Sequence, residues 1–184
     1  MSRIILIGGG ARSGKSRFAL VRARRLGGRR AFVATAEPLD PEMAARIVEH
    51  ARQRGDDFET IEEPVDLPAA LARSTGFDVV VVDCLTMWLA NRLLRGDAES
   101  HVLAAVDDLV VHLERRDRHF VLVSNEVGMG LVPETPVGRA FRDVTGRAHQ
   151  RIARVADELY LAVLGTILRL RPGPLAIEPC DESP

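Results

Sequence analysis

Short apolar runs alternate with amphipathic stretches along the whole chain. Runs at about residues 3–7, 30–35, 77–83 and 120–124 are rich in Val, Ile, Leu and Phe and read as strands. The run over 77–83 lacks an alternating pattern, as expected for a parallel strand covered on both faces. Between these runs a 3.6-residue period predicts a helix opening at 13–16 and running to about 26, and others over 41–54, 85–94, 101–115 and 138–156. Gly27 and Gly28 stop the first, and Pro41 suits the opening turn of the second. A short helix over 66–73 has Asp66 as its candidate N-cap. Residues 60–62 read as a short edge strand, and 158–163 and 166–170 as two more strands. The Gly- and Pro-rich segment 125–136 reads as a loop. The tail 172–184, with four prolines and no period, is expected to be disordered. Strands alternating with helices predict an α/β architecture with a mostly parallel sheet. Ligands in such sheets sit beyond the carboxyl ends of the strands. Segments 8–16, 34–36, 83–88 and 124–130 all follow strand ends and should converge on one crevice.

Composition narrows the function. A chain of 184 residues fits one domain, here expected over 1–171. A net charge of −1 argues against nucleic acid as a partner. No apolar stretch approaches the roughly 18–20 residues that span a bilayer. The first residues read as the start of a strand rather than a leader, so the expected location is the cytoplasm. Cys84 and Cys180 lie far apart without CxxC partners, which makes a disulfide framework or a zinc site unexpected.

The chemistry begins at Lys15, the single lysine among 25 Lys+Arg residues. It stands in Gly9-Gly10-Ala11-Arg12-Ser13-Gly14-Lys15-Ser16, the pattern G-x-x-x-x-G-K-S directly after a strand. Glycines let the backbone N–H groups approach phosphates, and a compact ammonium on a thin stem fits between the β- and γ-phosphates where a guanidinium fork does not. The fold expectation is therefore a P-loop three-layer sandwich, with Lys15 and Ser16 on the phosphates and on Mg²⁺ respectively. Asp83, ending its strand, is either the carboxylate that holds Mg²⁺ through water or an ordinary strand-end acid. These features imply nucleotide binding without choosing among kinase, switch and motor.

In the helix over 41–54, Met43, Arg46, Ile47, His50 and Arg54 fall at offsets 0, 3, 4, 7 and 11 and share one face. Taken alone, His50 is an ordinary packed or solvated helix residue. The sharper reading makes it a nucleophile, with the flanking arginines holding a triphosphate. Asn125, Glu126 and Gly128–Gly130 could contact substrate or metal, with Glu126 a candidate base, or could form a turn that needs glycine. Trp88 reads as helix packing rather than a substrate platform.

Taken together, the phosphate loop, Ala34-Thr35-Ala36, the Arg46-Ile47-x-x-His50 helix, Asp83-Cys84-Leu85-Thr86-Met87-Trp88 and the run Asn125-Glu126-Val127-Gly128-Met129-Gly130 followed by Val132-Pro133 resemble the bifunctional adenosylcobinamide kinase / adenosylcobinamide-phosphate guanylyltransferase family. The resemblance covers about residues 3–165. It departs at Phe58, where a tryptophan is expected, and at His149, where an asparagine is. It implies phosphorylation of adenosylcobinamide with ATP or GTP, then transfer of GMP from GTP through a GMP-histidine on His50, yielding adenosyl-GDP-cobinamide and pyrophosphate. It further implies that Ala34, Thr35, Ala36, Ala51, Arg52, Gln53, Arg54 and Glu62 line the nucleotide site, and that the protein is a homotrimer. Glu62 is either a guanine contact or a solvated acid. The alternatives are a single-activity P-loop kinase of small molecules and a GTP-binding regulator.

Overall fold

The computed structural model describes residues 2–178. Eight strands form one sheet: β1 (Ile4–Gly9), β2 (Arg30–Ala34), β3 (Glu59–Glu62), β4 (Val79–Asp83), β5 (His119–Asn125), β6 (Glu158–Val163), β7 (Thr166–Arg171) and β8 (Ala176–Glu178). Their order is β3-β2-β4-β5-β1-β6-β7-β8. All neighbouring pairs from β3 to β6 are parallel, while β7 and β8 are added antiparallel. The helices are α1 (Lys15–Leu26), α2 (Pro41–Arg54), α3 (Leu67–Arg73), α4 (Leu85–Leu94), α5 (Glu99–Glu114) and α6 (Pro136–Val155).

The strands' two-residue side-chain period splits the core in two. Ile4, Leu6, Val80, Val82, Phe120 and Leu122 pack with α3–α6 on one face. Ile5, Ile7, Val79, Val81, Val121 and Val123 pack with Phe18, Ala19 and Ala23 of α1 on the other. Both faces of the central strands are covered, which is why their sequences lack alternation. The sandwich therefore has the three layers expected. Trp88 is wholly buried in the first core, and its Nε1–H donates to the Val65 carbonyl at 2.7 Å, so it is a packing residue. Asp66 caps α3 by accepting from the Ala69 N–H at 3.1 Å.

The tail departs from its expectation. Arg171-Pro172-Gly173-Pro174 turns the chain back, and Ala176–Glu178 pairs with β7, Ile177 opposite Leu168. Three residues among prolines are too few to show a period. Residues 179–184 lie outside the described residues, as does the expectation of disorder for them. Among the described residues no helix is long and apolar enough to cross a membrane.

Candidate functional site

The phosphate loop joins β1 to α1. Gly9 sits against β6 so closely that a Cβ there would stand 2.4 Å from the Ala162 carbonyl oxygen, and its φ is +156°. Gly14, at φ +92°, is the N-cap residue of α1, so the helix opens on Lys15 with its unpaired N–H groups directed at the loop. Lys15 is almost wholly buried and its Nζ donates to the Gly10 carbonyl at 3.0 Å. Burial pushes its pKa down, Asp83 opposes this, and Arg46 adds to it. The Asp83 carboxyl is pushed up by burial, against the pull of the Ser16 hydroxyl bonded to it and of His50, Lys15 and Arg54. Lysine, serine hydroxyl and carboxylate thus meet at one point.

Over this point hangs α2. Asp40 caps it, accepting from the Met43 N–H at 2.7 Å, and Pro41 opens it. The face read from the sequence is intact: Met43, Arg46, Ile47, His50 and Arg54 all line a cavity of about 300 Å³ whose opposite wall carries Ala11, Lys15, Ser16 and Asp83. Arg54 is the one buried residue of α2. Its guanidinium lies 4.2 Å from the centre of the Phe32 ring, and Nη2 donates to Thr60 Oγ1 at 3.2 Å. Burial lowers its pKa while Asp83 and Glu62 raise it. Three cations therefore face one buried carboxylate across a space open to solvent at its mouth, an arrangement suited to a polyanion.

The floor is tied together by Thr35. Its hydroxyl donates to the Cys84 carbonyl and accepts from the Cys84 N–H, each at 2.8 Å, in a site without solvent contact. Asn91 of α4 donates to the Thr35 carbonyl at 2.8 Å and to that of Pro64 at 3.1 Å. Burial, then the Asp83 charge, push the Cys84 thiol up to about 11, so it is no nucleophile at neutral pH.

The expected site residues fall into three groups. Ala11, Lys15, Ser16, Ala34, Ala36, His50, Arg54 and Asp83 line the cavity. Gly9, Gly10, Arg12, Ser13 and Gly14 form the loop without lining it; Arg12 is exposed at φ +55°, and the Ser13 hydroxyl is buried without a partner. Thr35 lies beneath the floor as a tie. Ala51, Arg52 and Gln53 are exposed, and the last two donate to Glu49. Glu62 is exposed at the end of β3, opposite Ala34. Phe32, Cys84 and Met87 line the cavity as well, and the sequence did not single them out as site residues. Phe32 could have been found, because it shares a strand face with Ala34.

A family model described as cobinamide kinase / cobinamide phosphate guanyltransferase matches residues 5–170. The chain is 36% identical over 184 residues to the bifunctional adenosylcobalamin biosynthesis protein CobU of Escherichia coli strain K12, covering 91% of this chain and 99% of that one. It is 39% identical over 171 residues to the bifunctional adenosylcobalamin biosynthesis protein CobP of Pseudomonas aeruginosa, covering 92% and 98%. Among solved structures it is similar to the RadB recombinase, with a TM-score of 0.51 at 14% identity over 95% of this chain and 86% of that one. It is also similar to the KaiC-like protein PH0186 of Pyrococcus horikoshii, with a TM-score of 0.50 at 15% identity, 95% and 76% covered. The last two likenesses concern the fold.

Proposed function

Because the chain belongs to the cobinamide kinase / cobinamide phosphate guanyltransferase family, we propose that both activities are carried out around the single cavity beneath α2. In the first, the hydroxyl of adenosylcobinamide attacks the γ-phosphorus of ATP or GTP. In the second, a ring nitrogen of His50 attacks the α-phosphorus of GTP. A P–N bond forms, the bond to the bridging oxygen breaks, and pyrophosphate leaves with the electron pair. A phosphate oxygen of cobinamide phosphate then displaces the imidazole, giving adenosyl-GDP-cobinamide. One demanding transfer becomes two easier ones.

The observation that carries this reading is that His50 and Lys15 line one cavity, although they come from different helices. Lys15, Arg46 and Arg54 offset charge on the phosphates in a partly desolvated space, where each charge counts for more than in water. Ser16 Oγ and the Asp83 carboxylate are hard oxygen donors already bonded to one another, the donor type that Mg²⁺ takes. These two residues would hold Mg²⁺, which would supply charge neutralisation for the leaving group. From the family resemblance, the guanine base lies toward Glu62, at the rim beside Ala34. The same resemblance supports a homotrimer, the net charge of −1 supports a protein without a nucleic-acid partner, and a cytoplasmic location belongs to the same proposal.

Incubation with α-labelled GTP, without corrinoid, tests the intermediate. The protein should take up acid-labile, alkali-stable label, and His50→Ala should take up none while still phosphorylating cobinamide. Undiminished labelling of His50→Ala would remove His50 from this role.

A further inference from the structure

β5 lies between the strand that ends in the phosphate loop, β1, and the strand that ends in Asp83, β4. Its carboxyl end therefore faces the terminal phosphate of a nucleotide seated on the loop. The Glu126 N–H donates to the Gly9 carbonyl at 2.9 Å, fixing that residue against the loop's first glycine. Neighbouring side chains diverge here. Asn125 lines the cavity and donates to Thr86 Oγ1 at 3.0 Å, whereas Glu126 turns toward α6.

Glu126 Oε1 accepts from the Gly128 N–H at 2.6 Å. Its Oε2 stands 3.8 Å from Nδ1 of His149 on α6. Nε2 of the same ring is 2.6 Å from Oγ of Ser124. Burial pushes the imidazole's pKa down, against the pull of Glu126. In a neutral ring, the tautomer that accepts from Ser124 directs Nδ1–H at the carboxylate. Acid, imidazole and hydroxyl in this order suggest an activated serine. Ser124, however, has no solvent-accessible surface and cannot meet a substrate. The end of the row that faces outward is the carboxylate, whose side chain is 27% exposed.

We propose that Glu126 takes the proton from the acceptor hydroxyl in the phosphoryl-transfer step, and that His149, anchored on Ser124, is the positioning residue that holds this carboxylate at the carboxyl end of β5. The inference rests on the kinase half of the function proposed above. The hydroxyl oxygen bonds to the γ-phosphorus as its proton passes to Oε2. The bond from the γ-phosphorus to the β,γ-bridging oxygen breaks, and its electron pair leaves with the nucleoside diphosphate. The proton then escapes to water from the half-exposed carboxyl. Guanylyl transfer needs no such base, because imidazole and phosphate attack with lone pairs already free. Glu126 and His149 therefore serve one activity and not the other.

The test uses the full chain, with cobinamide and ATP for the kinase and cobinamide phosphate and GTP for the transferase, products read by mass spectrometry. Glu126→Gln should lower kinase kcat by about 100-fold with little change in KM for ATP, the low end for a positioned base because phosphoryl transfer has a loose transition state. A Tm and a circular dichroism spectrum matching those of the unmodified protein show that the variant is folded. His149→Leu should lose about tenfold in kinase kcat, and nothing more when joined to Glu126→Gln, since the two act as a unit. His149→Asn, whose amide can donate near the place of Nδ1, should recover most of that loss. Kinase kcat within about threefold of the unmodified protein in Glu126→Gln, or losses that multiply in the double variant, overturns the proposal. If the unmodified protein does not phosphorylate cobinamide, the function proposed above falls first; a working kinase indifferent to Glu126 sinks this inference alone.

Discussion

Thr35 offers the sharpest test of what holds the floor of the site. Thr35→Val keeps the shape and removes the hydroxyl. Two hydrogen bonds of 2.8 Å vanish, and the Cys84 N–H and C=O are left without that partner where water does not reach. A buried backbone group stripped of its partner costs about 1–3 kcal/mol, so the pair together should cost about 2–6 kcal/mol. Thr35→Ser removes only a buried methyl, about 1 kcal/mol, and keeps both bonds. At roughly 2–4 °C per kcal/mol for a chain of this size, Tm should fall by about 4–24 °C in the valine variant and about 2–4 °C in the serine variant. Differential scanning calorimetry or circular dichroism melts at fixed pH read both directly. Apolar-area reasoning alone predicts the opposite order, because valine buries more carbon than serine. A valine variant as stable as the serine variant would refute the claim that this hydroxyl ties β2 to β4.

Gly9→Ala must move either the loop or β6, since its Cβ would meet the Ala162 carbonyl at 2.4 Å and Ala162 Cβ at 2.9 Å. A backbone collision costs about 1–3 kcal/mol, so the melt should come earlier and nucleotide affinity should drop with it; an unchanged Tm would show that the two segments are not packed as described. Stability should also fall as pH drops from 7 toward 5. Burial holds the His149 pKa below its ordinary 6.5, so the unfolded chain binds a proton there that the folded one resists. The stabilisation is present above 6.5 and is lost as pH falls through the lowered folded value. His112 and His119, lowered for the same first reason, contribute in the same sense. Urea midpoints across this window should therefore show a shallower slope for His149→Asn, and identical slopes would count against the buried neutral ring.

The parts of the site that a local pattern encodes were legible in the sequence. Glycine spacing marks the phosphate loop because the backbone itself binds there. The α2 face was legible because a helix repeats every 3.6 residues and five side chains of matching offset must share a side. The same period shows why Ala51–Arg54 could not all line one site: four successive helical residues point around the full circle, and only Arg54 turns inward. Thr35 looked like part of a nucleotide-contacting stretch, yet its partner is 49 residues away, a pairing set by strand order. The row of Ser124, Glu126 and His149 was hidden likewise, because β5 and α6 meet only once the sheet is covered. β8 went unseen among prolines because three residues carry no measurable alternation.

The shallow seating of α2 has a consequence for anyone selecting variants of this protein. With Arg54 as its one anchor below the surface, the remaining thirteen positions of that helix contribute little to whether the chain survives heating or expresses well. Screens that score yield, protease resistance or melting will therefore retain clones that have lost His50. Libraries in this segment have to be sorted on turnover, and for the same reason the segment can be rewritten extensively without endangering the scaffold beneath it.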